Sequence, residues 1–195
     1  MKTLCVVVVA LFCIVSPLNA DEPQAPASME IMMQQMIKLG TPGEEHQMLA
    51  KFVGQWDCEV TEYPMFPGME KTVSKGEAEF ESKMGGRVIE QEFESEFNGM
   101  EYEGVGFLGY DKGKQVYYST WMDNMSTQFM YAEGTYDEST NTITEKCETH
   151  CPLGEMKNKM VTKLKSDDEF VFEMYGQLDG QPEMKKMMQI VYTRK

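Results

Sequence analysis

Arginine is nearly missing from this chain. Only Arg87 and Arg194 occur, and every other basic residue is lysine. Histidine is equally scarce, at His46 and His150. Neither sits in a recognisable serine-nucleophile motif, so a His-dependent hydrolase has no framework here. No apolar run reaches the roughly 20 residues that a membrane-spanning helix needs. No loop gathers the carboxylates of a calcium site, no cofactor motif stands out, and there is neither an internal repeat nor a low-complexity tract. Positive charge is in deficit overall: 18 Lys and Arg against 32 Asp and Glu, a formal net charge of −14. That balance argues against nucleic acid or an anionic membrane surface as a partner.

The longest apolar stretch, Leu4 to Val15, follows Lys2 and is broken by Pro17, with the small Ala20 just before Asp21. This is the three-part layout of a secretory signal peptide. Residues 1–20 are therefore expected to be removed near Ala20 from an exported protein, periplasmic or secreted. Leu18 fits the cleavage site poorly and leaves the cut open, with a retained anchor as the alternative. Phe12 before Cys13 argues against a lipoprotein signal. Asp21 to Ser28 is Pro- and Ala-rich and reads as a flexible linker. Of five cysteines, Cys58, Cys147 and Cys151 lie beyond this region. They are expected to form one disulfide or none. Cys147 and Cys151 on one extended strand would stand about 13 Å apart, too far to bridge. Cys58 with either is the pairing to expect if one forms.

Residues 29–53 read as a helical segment. Met29, Met32, Met33, Met36 and Ile37 fall on one helical face behind Ser28 as N-cap. Thr41-Pro42-Gly43-Glu44 has the form of a capping box opening a second helix, which carries Leu49, Phe52 and Val53 inward and stops at Gly54. From residue 54 to 195 the pattern is different. Nine turn signals, from Pro64/Pro67-Gly68 through Gly85-Gly86 to Asp179-Gly180-Gln181-Pro182, cut the chain into ten short segments. Several alternate cleanly: Ile89, Phe93 and Phe97 against Glu90, Glu92, Glu94 and Glu96, and Met156, Met160 and Leu164 against Lys157, Lys159, Lys163 and Lys165. Ten consecutive antiparallel strands with one dry face predict an all-β, closed meander barrel preceded by one or two short helices. The helices are expected to cap one end.

Gly54-Gln55-Trp56 opens the first strand straight after a helix. This resembles the Gly-x-Trp opening of the calycin superfamily, where a Trp plugs the barrel end and an Arg of the last strand stacks on it. Where lysine is the default, an arginine is expected to do what lysine cannot. Trp56 and Arg194 are therefore assigned a structural role in barrel closure. The likeness extends through Gly85-Gly86-Arg87, Gly106-Phe107-Leu108-Gly109-Tyr110-Asp111, Ser119-Thr120-Trp121-Met122-Asp123, Ser126-Thr127, Gly134-Thr135-Tyr136-Asp137 and Tyr192-Thr193-Arg194. In that order these motifs resemble the bacterial family called domain of unknown function 1579. The resemblance implies a barrel and supplies no activity.

A closed ten-stranded barrel has an interior, which points to noncatalytic binding of a small apolar or amphipathic ligand. The candidate ligand residues are Arg87, Phe93, Trp121, Asp123, Phe172 and Tyr192. Arg87 reads either as an anion contact at the barrel mouth or as an ion pair with a neighbouring Glu. Trp121 and Asp123, beside Tyr117 and Tyr118, read equally as pocket lining and as a wall with a turn-capping Asp. Methionine spacing such as Met29/Met32 suits Cu(I), but it also suits core packing, which the helical stripe favours. Cys147 to Cys151 with His150 makes an incomplete metal set. Glu173 is a lone carboxylate, and the Glu stripes of the second and third strands are expected side by side on the outer wall. The alternative reading is a filled barrel that acts in the cell envelope through its Met29–Ile37 helix.

Overall fold

In the computed structural model, residues 28–195 are described, apart from Pro67 and Asn98. The signal-peptide reading of residues 1–20, and all of the linker except Ser28, lie outside the described residues. Two helices lead in: α1 (Met29–Gly40) and α2 (Glu44–Leu49), the latter running into a 3-10 turn at Ala50–Phe52. Ten strands follow: β1 (Gly54–Glu62), β2 (Thr72–Lys83), β3 (Val88–Phe97), β4 (Met100–Asp111), β5 (Val116–Asp123), β6 (Met130–Asp137), β7 (Thr142–Cys151), β8 (Gly154–Leu164), β9 (Glu169–Leu178) and β10 (Lys185–Arg194). Each pairs antiparallel with its neighbours, and β1 pairs with β10, so the sheet is a closed barrel. All nine turn signals fall between consecutive strands. Closure leaves no edge strand to be protected.

Strand alternation sorts the side chains as its period requires. Phe80, Ile89, Phe93 and Tyr192 are buried inside. On the outside Glu77, Glu79 and Glu81 stand opposite Glu94, Glu92 and Glu90. Lys83 pairs with Glu81 and Glu90, and Lys195 with Glu77, which relieves part of that repulsion.

One barrel end is plugged. Leu49 and Phe52 are 2% and 1% exposed. The Phe52 ring meets Phe170 at 4.9 Å, Trp56 meets Phe170 at 4.7 Å, and Phe170 stacks on Tyr192 at 4.1 Å. Burial of each such side chain contributes about 1.5–3 kcal/mol. Val53 packs against the same cluster.

Two local expectations are corrected. Thr41 does not cap α2. It precedes Pro42, which forces it into an extended conformation (φ −93°, ψ 125°). Its hydroxyl instead donates to Ile37 O at 2.7 Å, closing α1. Gly43 becomes the N-cap of α2, and its N–H donates to His46 Nδ1 at 3.1 Å. The second correction concerns α1. Ser28 caps it as expected, accepting from Ile31 N, but the helix buries none of its residues. It is tied down by Lys112 Nζ, which donates to Lys38 O and Thr41 O at 2.9 Å each. Leu49, Phe52 and Trp56 already fill the barrel end, so no apolar surface remains for the methionine face to cover.

Of the two alternatives for the barrel cysteines, one bridge or none, the structure has none. Cys58, Cys147 and Cys151 are all free thiols. Cys58 belongs to β1 and the other two to β7, with β8, β9 and β10 between them on the shorter way round. Four inter-strand spacings of about 4.8 Å separate them around the wall, beyond the reach of a disulfide.

Candidate functional site: the barrel cavity

β1 runs from the plugged end at Gly54 to the far end at Glu62, so odd-numbered hairpins turn at the far end. There the barrel opens into a cavity of about 410 Å³. Its floor is Phe52, Phe80, Phe170 and Tyr192, the inner surface of the plug. Phe93, Phe172, Met188 and Ile190 make one wall. Ser119 of β5, Glu145 and Thr149 of β7 and Thr162 of β8 add hydroxyls and a carboxyl to the lining. The rim is apolar in a way the closed end is not. Phe66, Met100, Phe129 and Leu153 are exposed in or beside the far-end turns, whereas the closed-end turns expose only Met84 among large apolar residues.

Phe93, Trp121, Asp123, Phe172 and Tyr192 all line this cavity. Trp121 Nε1 donates to Tyr102 Oη at 3.0 Å, and Tyr102 Oη donates to Asp123 Oδ2 at 3.4 Å. Asp123 Oδ1 meanwhile accepts from Met125 N and Ser126 N, both at 3.0 Å. Asp123 is therefore at once the turn cap and part of the pocket. Phe93 meets Tyr102 and Trp121 edge-on at 6.0 and 6.4 Å. Burial pushes the Tyr102 phenol well above its ordinary range. The indole lies against bare backbone, because β4 presents Gly104 and Gly106 beneath it.

Arg87 is not at the mouth. The Gly85–Gly86 turn is the second hairpin and lies at the plugged end, where Arg87 is exposed and its Nη1 donates to Met84 O at 2.9 Å. No described carboxylate lies within ion-pairing distance of it, so the Glu pair is not formed either. Glu173 faces outward. Burial raises its pKa, but hydrogen bonds from Lys186 and Tyr175 outweigh that and hold it below the usual carboxylate range. Glu173 is therefore apart from Trp121 and Asp123, which line the cavity.

Glu145, Tyr102 and Gln91 are cavity residues that the motif reading passed over. Glu145 is only 7% exposed, and burial drives its pKa up to about 7, with the Ser119 hydroxyl acting in the opposite sense. Gln91 Nε2 donates to the Tyr192 hydroxyl at 3.3 Å. The inward parity of Ile143 in β7 points to Glu145, Cys147 and Thr149, which is the signal that could have found it. Among the described residues no group of three or more His, Cys, Asp or Glu is arranged to hold a metal ion.

A family model described as "Protein of unknown function (DUF1579)" matches residues 41–194. The chain belongs to this family. Its barrel is similar to that of Rv2717c from M. tuberculosis, with a TM-score of 0.58 at 14% identity, covering 80% of this chain and 99% of that one. It is also similar to EF1p2_mFAP2b, a structure bound to DFHBI, with a TM-score of 0.44 at 11% identity over 77% of this chain and 98% of that one. At that identity the Rv2717c likeness establishes the fold alone. No curated protein matches the chain in sequence.

Proposed function

We propose that this protein binds a small, largely apolar molecule in the barrel cavity and does not transform it. The observation that carries this reading is the cavity itself. At about 410 Å³ it falls within the roughly 300–1,000 Å³ of small-molecule sites, and like them it sets a few hydrogen-bonding groups in an apolar wall. The exposed Phe129 and Leu153 at the rim give an apolar ligand a compatible entrance. Export is part of the proposal and rests on the sequence of residues 1–20. Native mass spectrometry of protein purified from its own host tests the reading directly. A co-purifying small molecule is expected, and a water-filled cavity from which no apolar probe can be displaced would overturn it.

One observation favours a second reading. The apolar residues of α1, from Met29 to Leu39, are all exposed, Met29 and Met36 at 73% and 70%. Methionine faces suit adaptable contacts, so α1 is the element through which an envelope partner would engage. Deleting residues 29–39 should leave the melting temperature unchanged and abolish such an interaction. Unfolding on deletion would instead make α1 a structural part of the barrel.

A further inference from the structure

Every charged side chain that lines the cavity is acidic: Glu62, Glu96, Asp123 and Glu145. No lysine, arginine or histidine of the described residues lines it. Glu145 stands apart from the other three because it is deep in the wall and nearly sealed. Its neighbours offer it no positive charge. From β6 come Ala132 and Gly134, from β8 Met160 and Asn158, from β5 Tyr117 and Ser119, and from its own strand Cys147. Of these, Tyr117 and Cys147 can titrate, and burial raises both, so they stay neutral where proteins work. Beside it Asn158 Nδ2 donates to Thr149 Oγ1 at 2.8 Å and to Met156 O at 3.2 Å, which leaves its buried Oδ1 as an acceptor without a partner. The deep part of this wall thus holds two acceptors that lack a cationic partner, the Glu145 carboxyl and Asn158 Oδ1.

A buried carboxylate with no cation and a single serine hydroxyl to serve it is costly, and a native site that keeps one usually completes it with something. A funnel lined by charge of one sign also concentrates the opposite sign at its base. The aromatic group of Phe93, Tyr102 and Trp121 above it offers ring faces and edges to an ammonium on its way in.

We infer that the ligand is an amphiphile with an apolar body and a hydrogen-bond-donating, preferably cationic head such as a primary amine, and that Glu145 receives that head. This rests on the cavity-binding reading above and deepens it. The same charges reject fatty carboxylates and phosphates, and the chain's two arginines sit away from the cavity lining.

Decylamine, decanol and decanoate share one body and differ in the head, and Trp121 in the wall reports their arrival while Trp56 stays in the plug. At pH 8, fluorescence titration is expected to rank decylamine first and decanoate last, about tenfold or more apart, as a charge-assisted contact implies. Glu145→Gln should weaken decylamine about tenfold and leave decanol within about twofold. Lowering the pH to 5.5 should shrink the amine preference of the natural protein and leave that of the variant unchanged. The head-group series on the natural protein stands by itself if the variant fails to fold. Equal affinity for all three heads, or a preference for decanoate, overturns the head-group assignment while leaving cavity binding intact. No response to any of the three overturns both.

Discussion

The Arg194 guanidinium lies 4.1 Å from the centroid of the Trp56 indole, and the two residues are directly paired across β10 and β1. The contact does more than stack. Arg194 Nη1 donates to Val53 O at 2.8 Å, Nη2 to Lys51 O at 2.9 Å and Nε to Asp167 O at 2.9 Å. Trp56 Nε1 donates to Phe52 O at 2.8 Å. Between them the pair satisfies the carbonyls left over where the 3-10 turn ends and fastens the plug to the seam of the barrel. Gly54 makes room for this. It sits at φ +135°, and a Cβ there would run into Arg194 Nη1.

Arg194→Lys keeps the charge but has no planar fork to serve three carbonyls and a ring at once. It should destabilise the barrel by about 2 kcal/mol. Arg87→Lys, at an exposed turn, should stay within about 0.5 kcal/mol. Paired urea melts check both, and equal losses would mean the seam is held elsewhere.

The strand count, the closure and the Trp56–Arg194 pair were legible because each rests on local chemistry: turn residues, period two, and a rare arginine of inward parity. The end at which Arg87 sits follows from the order of the hairpins, since alternate turns lie at opposite ends, and its glycine pair alone does not carry that information. The fate of α1 was not. Helical periodicity reports that an apolar face exists, and whether anything is left to cover depends on Leu49 and Phe52 having already filled the barrel end. Glu145 was hidden for a related reason. In a chain with 32 acidic residues, a single inward carboxylate looks like the outward ones until the strand's parity is fixed by Ile143.

Gly104 is where the pocket wall is most sensitive. A Cβ there would overlap the Trp121 ring, standing 2.8 Å from Cε2. Gly104→Ala should tilt the indole, break its bond to Tyr102 and cost about 1–3 kcal/mol as overpacking does. Fluorescence reads the change, because Trp56 is buried in the plug and contributes a constant signal. An unaltered emission spectrum would mean that the indole is not held against β4.

The three barrel cysteines should behave as independent thiols. Dithiothreitol is expected to leave the melting temperature unchanged, whereas loss of a native disulfide costs about 2–5 kcal/mol. Cys58 is 4% exposed, and burial pushes its thiol up to about 12. It should resist alkylation until the protein unfolds, after the half-buried Cys147 and Cys151 have reacted. Mass spectrometry after timed iodoacetamide labelling gives the order, and a mass two daltons low before reduction would reveal a bridge.

Glu145 should make stability fall as pH rises. Its pKa is raised from the ordinary 4.5 to about 7 in the folded protein, so the folded state holds a proton that the unfolded chain has released between those values. The penalty is absent below about 4.5, grows through the interval and is complete above about 7, amounting to roughly 3 kcal/mol. Glu145→Gln keeps the shape and removes the charge. The variant should therefore match the natural protein near pH 4.5 and exceed its stability by roughly 2–3 kcal/mol at pH 8. His46, whose pKa burial lowers, acts in the opposite sense, costing stability as pH falls through its ordinary 6.5. It is common to both proteins and cancels in their difference. Urea melts across pH 4.5–8.5 give that difference curve. A flat curve would mean the carboxyl is not desolvated, and a variant weaker at pH 8 would mean that the donors around the carboxylate outweigh its desolvation.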